Sequence, residues 1–355
     1  MNKSFLNTSK QNNCFDEVRF ILAFIVLMAH TSALGNTDRL QWLTHFFDAN
    51  VAVKGFFAIS GYLVTKSFYS SKTTLQYFEK RIRRIYPAYI GVIMYCLIIG
   101  AFLTQDTFFE FITNADTYRY IFSNLSLLNF IQPSLPGVFV ENKMNIMNGS
   151  LWTIKVEIML YFVVPILCYL YSHIGKKLTY FLALGFGIFW FIYFSEFSTI
   201  SIAKQLSWQF PGQLPYFALG SLLGFFTIKK FSTIIILLIS FIYYIFLRNE
   251  LDEIYIELIN MIIIPLFIIT IANIKSLSIG IGRYGDLSYG LYLFHFPTIQ
   301  ILEHFDLYSA YPYLSLLTSI VLTLGLAFFS WHFIEKIVLK NSSHYIKATS
   351  ALIKN

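Results

Sequence analysis

The chain has 355 residues, 56% of them hydrophobic, 19% aromatic and only 13% charged, with a mean hydropathy of +0.61. This excludes a soluble globular protein and predicts a polytopic membrane protein. The formal charge of +7 does not point to nucleic acid, because the lysines and arginines fall between hydrophobic segments and form no basic face with a fold of its own.

Taken in order, the apolar stretches predict membrane helices at 18–34, 51–69, 87–104, 151–171, 178–196, 210–228, 231–248, 254–273, 287–305 and 312–338, an all-α bundle of about ten crossings. The segment 119–131 reads as an interfacial or re-entrant piece. One set of connections carries Lys66, Lys72, Lys80, Arg81, Arg83, Arg84, Lys176, Lys177, Lys229, Lys230, Lys275 and Arg283, with Lys3, Lys10, Lys340, Lys347 and Lys354 at the ends. The other set has only Arg39, Arg119, Lys143, Lys204 and Arg248, mixed with acids. The positive-inside rule therefore puts both termini in the cytoplasm, which an even helix count also requires. No polar block separates domains, so residues 1–340 read as one membrane domain and 341–355 as a short cytoplasmic tail. A competing reading of the first segment is a signal peptide ending at Ala33-Leu34-Gly35, whose removal would leave a mature N-terminus at Asn36.

The first helix, FDEVRFILAFIVLMAH from Phe15 to His30, carries two ionisable groups. Arg19 and His30 are eleven steps apart, roughly three turns with a rise of roughly 16 Å, so they share a face. With Arg19 at the cytoplasmic headgroups, His30 lies near mid-membrane, a depth at which an ionisable side chain marks either a functional path or a hydrogen bond between helices.

The second helix places Lys54 near its outer end, where it either snorkels or faces the bundle interior, and Gly55, Ser60 and Gly61 predict a close helix contact. The following block, FEKRIRRIYPAY, gathers Lys80, Arg81 and Arg84 on one helical side, with Pro87 expected to open the next helix. Such a guanidinium fork suits phosphates, and it equally suits a topology signal touching anionic lipid. The long connection 105–150, with Pro133, Pro136 and Gly137, predicts an irregular loop on the outer side.

The fourth helix brings Lys155 and Glu157 into the membrane edge, as a catalytic carboxylate or as one half of a salt bridge. In the ninth, His295 sits among aromatic residues just before Pro297, either structurally satisfied or part of a site. Cys14, Cys96 and Cys168 are too scattered for a disulfide framework, and no metal motif or nucleophile elbow occurs. A transporter using buried His and Glu as a proton relay is the main rival to an enzyme. Against it stand the absence of matched halves and the concentration of arginines on one loop beside the Arg19 end.

These pieces together resemble acyltransferase family three, the integral-membrane O-acyltransferases of bacterial glycans. The elements are Arg19 and His30 with ten residues between, FFAISGYL (Phe56 to Leu63), RIRRIYPAY (Arg81 to Tyr89), LWTIKVE (Leu151 to Glu157), LSYGLYLFHFP (Leu287 to Pro297) and FIEK (Phe333 to Lys336). The chain departs from the pattern at Lys155, at Ile158 where a second Glu is usual, and at Ile337 where Pro is usual. The resemblance implies a multi-pass protein of the bacterial inner membrane. It also implies transfer of an acyl group, most simply acetyl from acetyl-CoA, to a hydroxyl of a surface polysaccharide such as lipopolysaccharide or capsule, or of its lipid-linked precursor. On that reading Arg19, Arg81, Arg83 and Arg84 meet the phosphates of the donor, and His30, Glu157 and His295 supply the catalytic groups.

Overall fold

The computed structural model describes residues 13–339. Lys3, Lys10, Lys340 and the tail 341–355, which enter the expected topology, lie outside the described residues. Among the described residues the regular structure is helical throughout, with no strand. The principal helices are α1 (Phe15–Leu34), α2 (Ala49–Tyr69), α3 (Thr74–Leu103), α4 (Trp152–His173), α5 (Lys176–Ile192), α6 (Phe210–Leu223), α7 (Lys230–Ile242), α8 (Glu253–Ala272), α9 (Leu287–His304) and α10 (Pro312–Ser330).

A helix thus occupies each of the ten expected places, and seven of the described spans are long and apolar enough to cross a membrane. The exceptions have physical causes. Helix α2 carries Lys54 and Lys66, α6 has only 14 residues, and α9 is rich in Ser, Tyr, His, Thr and Gln. At about 1.5 Å per residue α6 is shorter than a hydrocarbon core of about 30 Å.

One boundary differs from expectation. Pro87 does not open a helix but lies inside α3, which begins at Thr74. The arginine block is therefore part of the helix body, and Arg81 and Arg84, three apart, share a side of it. The segment 119–131 splits into a helix, Ala115–Leu125, and an irregular continuation. Gly137, with φ of 66°, takes a left-handed turn in the long loop, beside Thr104 and Gln105.

The described residues form two compact units. The first comprises the residues up to Val18, Val53–Glu79 and Val156–Ile279. Its centre is the contact of α2 with α6, where Gly61 faces the Phe217 carbonyl and Gly220 faces the Ala58 carbonyl so closely that neither site has room for a Cβ. The small-residue stripe expected on α2 thus brings two backbones together. Lys54 faces inward, 2.5 Å from Glu257, which also accepts from the Tyr216 hydroxyl at 2.7 Å. Helix α7 turns Ile234, Leu238 and Phe241 outward, as a lipid-facing helix does.

The second unit comprises Arg19–Ala52, Lys80–Lys155 and the residues from Gly280 onward. Helix α9 is its axis, buried from Ser288 through Gln300. A Cβ on Gly290 would lie 2.7 Å from the Ala327 Cα, so α9 and α10 touch at the level of their backbones. Pro297 stays inside α9 without ending it.

Candidate active site in the second unit

The sequence singled out two imidazoles in apolar helices, and the fold puts them together. Nδ1 of His30 on α1 lies 2.7 Å from Nε2 of His295 on α9. The ring planes differ by 4° and the centroids are 5.0 Å apart, about the nitrogen separation plus two ring radii. The rings therefore meet edge to edge in one plane, the geometry of an N–H···N hydrogen bond. His295 is fully buried whereas His30 is partly exposed. The Phe296 ring stands edge-on to His30 at 5.5 Å.

One proton is shared across that contact, and its donor decides the chemistry. Nδ1 of His295 makes no hydrogen bond of good geometry, but the carbonyls of Leu291 and Tyr292 face its ring. Carbonyls accept and do not donate, which favours a hydrogen on Nδ1 of His295 and a lone pair on its Nε2. His30 Nδ1 is then the donor, and its Nε2 carries a lone pair. A base so arranged, its second nitrogen oriented by an acceptor, follows the general logic of activated histidines.

Below the pair lies an ionic cluster. Arg19 donates through Nη1 to Oδ2 of Asp286 at 2.5 Å, and Arg84 donates through Nη2 to the same oxygen. Nη1 of Arg84 reaches Oε2 of Glu335 at 2.7 Å. The side chains of Asp286 and Glu335 are only 2% and 1% exposed, so the charges meet away from water, where pairing is obligatory. Ser288 and Ser330 occupy the remaining carboxylate oxygens. Arg83 donates to the Val338 carbonyl at 3.0 Å.

Local backbone features deliver both acids. Asp286 directly precedes α9, where a carboxylate is favoured by the helix dipole. Gly285, with φ of 106°, lets the chain pass over the Trp331 indole, which leaves no room for a Cβ. Glu335 ends a π-helical turn, Trp331–Glu335, a form of helix frequent at functional sites.

Arg19 and His30 thus contact the same element, as a shared face requires. Their partners, Asp286 and His295, are nine residues apart, a rise of about 13 Å against roughly 16 Å on α1, so the two helices run in the same direction. Glu157 belongs to the first unit, where its Oε1 accepts from Ser60 at 2.5 Å and from Tyr161 at 2.6 Å. Lys155 lies over the Phe130 ring at 4.8 Å in the second unit. Asp286 was not anticipated, and Glu335 appeared only as a letter of FIEK. An acid at the start of a helix, just before a run of aromatic residues, was the signal available for the first.

Residues 12–334 match a family model described as an acyltransferase domain. The chain is 26% identical over 340 residues to an O-acetyl transferase of Shigella phage Sf6, covering 94% of this chain and 98% of that one. It is 27% identical over 175 residues to nodulation protein 10 of Rhizobium leguminosarum bv. viciae, covering 47% of each chain. No solved structure matches.

Proposed function

We propose a reaction from one premise, that the chain belongs to acyltransferase family three. It is an acyltransferase. On our reading the group is acetyl, the donor acetyl-CoA, and the acceptor a hydroxyl of a surface glycan or its lipid-linked precursor. The near full-length similarity to an O-acetyl transferase supports the group transferred. The setting we propose is a bacterial inner membrane, crossed about ten times with both termini inside.

The observation that carries the mechanism is the in-line His30–His295 contact. Nε2 of His30 takes the proton of the acceptor hydroxyl as its oxygen attacks the thioester carbonyl. The C–S bond breaks, and the departing CoA sulfur receives that proton from His30. While His30 is cationic, its Nδ1–H bonds the lone pair of His295 Nε2, so the charge is held without rotation of either ring. Transient acylation of His30 is the other route open to the same nitrogen.

The four arginines remain the phosphate side of the site, with a division of labour. Asp286 and Glu335 offset the charges of Arg19 and Arg84, so these two form the frame. Arg81 and Arg83 contribute to the attraction for the donor phosphates in our reading. In the other unit, Glu157 acts in our reading by orienting the Ser60 hydroxyl.

The test is reconstitution in proteoliposomes with acetyl-labelled CoA and a glycan acceptor. Label appearing on the acceptor as an alkali-labile ester, and lost in His30→Ala at equal protein level, is expected. Full acetylation by His30→Ala, or solute uptake without acetylation, would overturn the reading.

A further inference from the structure

The loop that ends at α4 holds α9 at Gln300 and again at the turn that carries His295. Pro297 has no N–H, so the Leu293 carbonyl, four residues earlier, loses its helical donor. Nδ2 of Asn148 supplies the missing hydrogen bond at 2.9 Å, and the site is buried. The amide is not free to flip, because its Oδ1 accepts from the Ser150 backbone at 3.2 Å and from the Ser150 hydroxyl at 2.6 Å.

Two neighbouring contacts converge on the same turn. A Cβ on Gly149 would lie 2.7 Å from the Phe296 ring, whose edge packs on His30. The Thr153 and Tyr292 hydroxyls are 2.6 Å apart. The stretch 148–153 therefore grips residues 292, 293 and 296, on both sides of His295.

We infer that Asn148 is a positioning residue for the imidazole pair, acting by capping the carbonyl that Pro297 leaves open. The inference rests on the reading of His30 and His295 as the reacting pair. Without the cap, a buried carbonyl stands unpaired, and the helix relieves it by bending at the proline. That bend displaces His295 relative to His30, and a misplacement of about 1 Å costs up to about 100-fold in rate.

The test is a double-variant cycle on the full chain. Asn148→Ala lowers acetyl transfer per folded enzyme with the KM for acetyl-CoA unchanged. Pro297→Ala restores the N–H to Leu293, so Asn148→Ala costs less in the Pro297→Ala background than in the wild type, in rate and in melting temperature. Multiplying losses, or a wild-type rate per folded enzyme in Asn148→Ala, would overturn the inference. If Asn148→Ala does not accumulate in the membrane, recovery of accumulation in the double variant supports it, and failure to recover overturns it. If the wild type itself transfers no acetyl group, the functional reading fails, and the inference falls with it as a statement about catalysis. The melting cycle then still decides whether Asn148 caps the proline turn.

Discussion

Nδ1 of His30 and Nε2 of His295 share one hydrogen bond, 2.7 Å long, between two helices that run the same way. Among the described residues neither ring has a carboxylate on it; each imidazole is the other's orienting group. Replacing His30 by Ala removes the proposed base and is expected to lower acetyl transfer by about 10²- to 10⁴-fold. His295→Phe keeps the bulk and removes the acceptor, so it should lower kcat while leaving the KM for the donor in place. Initial rates in proteoliposomes across a donor series measure both.

The same pair predicts a pH dependence. Protonation of His30 at Nε2 takes the lone pair that the reaction needs, while its Nδ1–H stays bonded to Nε2 of His295. Activity should therefore fall as pH is lowered, along one titration limb. That limb should change shape in His295→Phe, and an unchanged profile in this variant would remove His295 from the mechanism.

Asp286 holds two guanidinium groups through one oxygen. Asp286→Ala removes the buried carboxylate that both arginines share and should destabilise the protein by about 3–5 kcal/mol. Asp286→Asn, which keeps an acceptor of the same shape, should cost less. Thermal unfolding in detergent, with no substrate added, reads the difference.

In the first unit, Lys54 and Glu257 form a pair whose side chains are 11% and 12% exposed. Lys54→Met alone should cost about 3–5 kcal/mol, whereas Lys54→Met combined with Glu257→Leu should be close to neutral, since no unpaired charge remains. Equal melting points for the single and double variants would contradict this.

Proline capping occurs in the first unit too. Pro165 inside α4 frees the Tyr161 carbonyl, and the fully buried Tyr77 donates its hydroxyl to it at 2.9 Å. Tyr77→Phe keeps the ring and removes this donor, at a cost of about 1–3 kcal/mol. Pro165→Ala in that background should recover part of the loss in the same melting assay.

The helical places were legible because a membrane helix writes itself as an uninterrupted apolar run, and α1, α4 and α8 stand where the runs stand. Pro87 lies inside α3 and not at its start; in sequence, a proline within a long apolar helix looks like one that opens it. Arg19 and His30 were legible as a pair because eleven steps of one helix are a local matter. Asp286 was not, because it stands 267 positions from Arg19 and only the fold brings the two together. Lys54 could be read as snorkelling or inward because its acid, Glu257, lies 203 positions away. Asn148 carries no local signal at all, since the donor it replaces is missing from another helix.

The grip of residues 148–153 on α9 also sets a rule for transplanting the long loop. Val140, Glu141 and the stretch from Lys143 to Asn145 are exposed, whereas Asn142 and the carbonyls of Met144 and Ile146 are fastened to Gln300. A loop transplanted from a relative should therefore be spliced upstream of Asn142. A junction drawn at the helix boundary, where an alignment would invite it, would discard the splint that keeps the imidazoles in register.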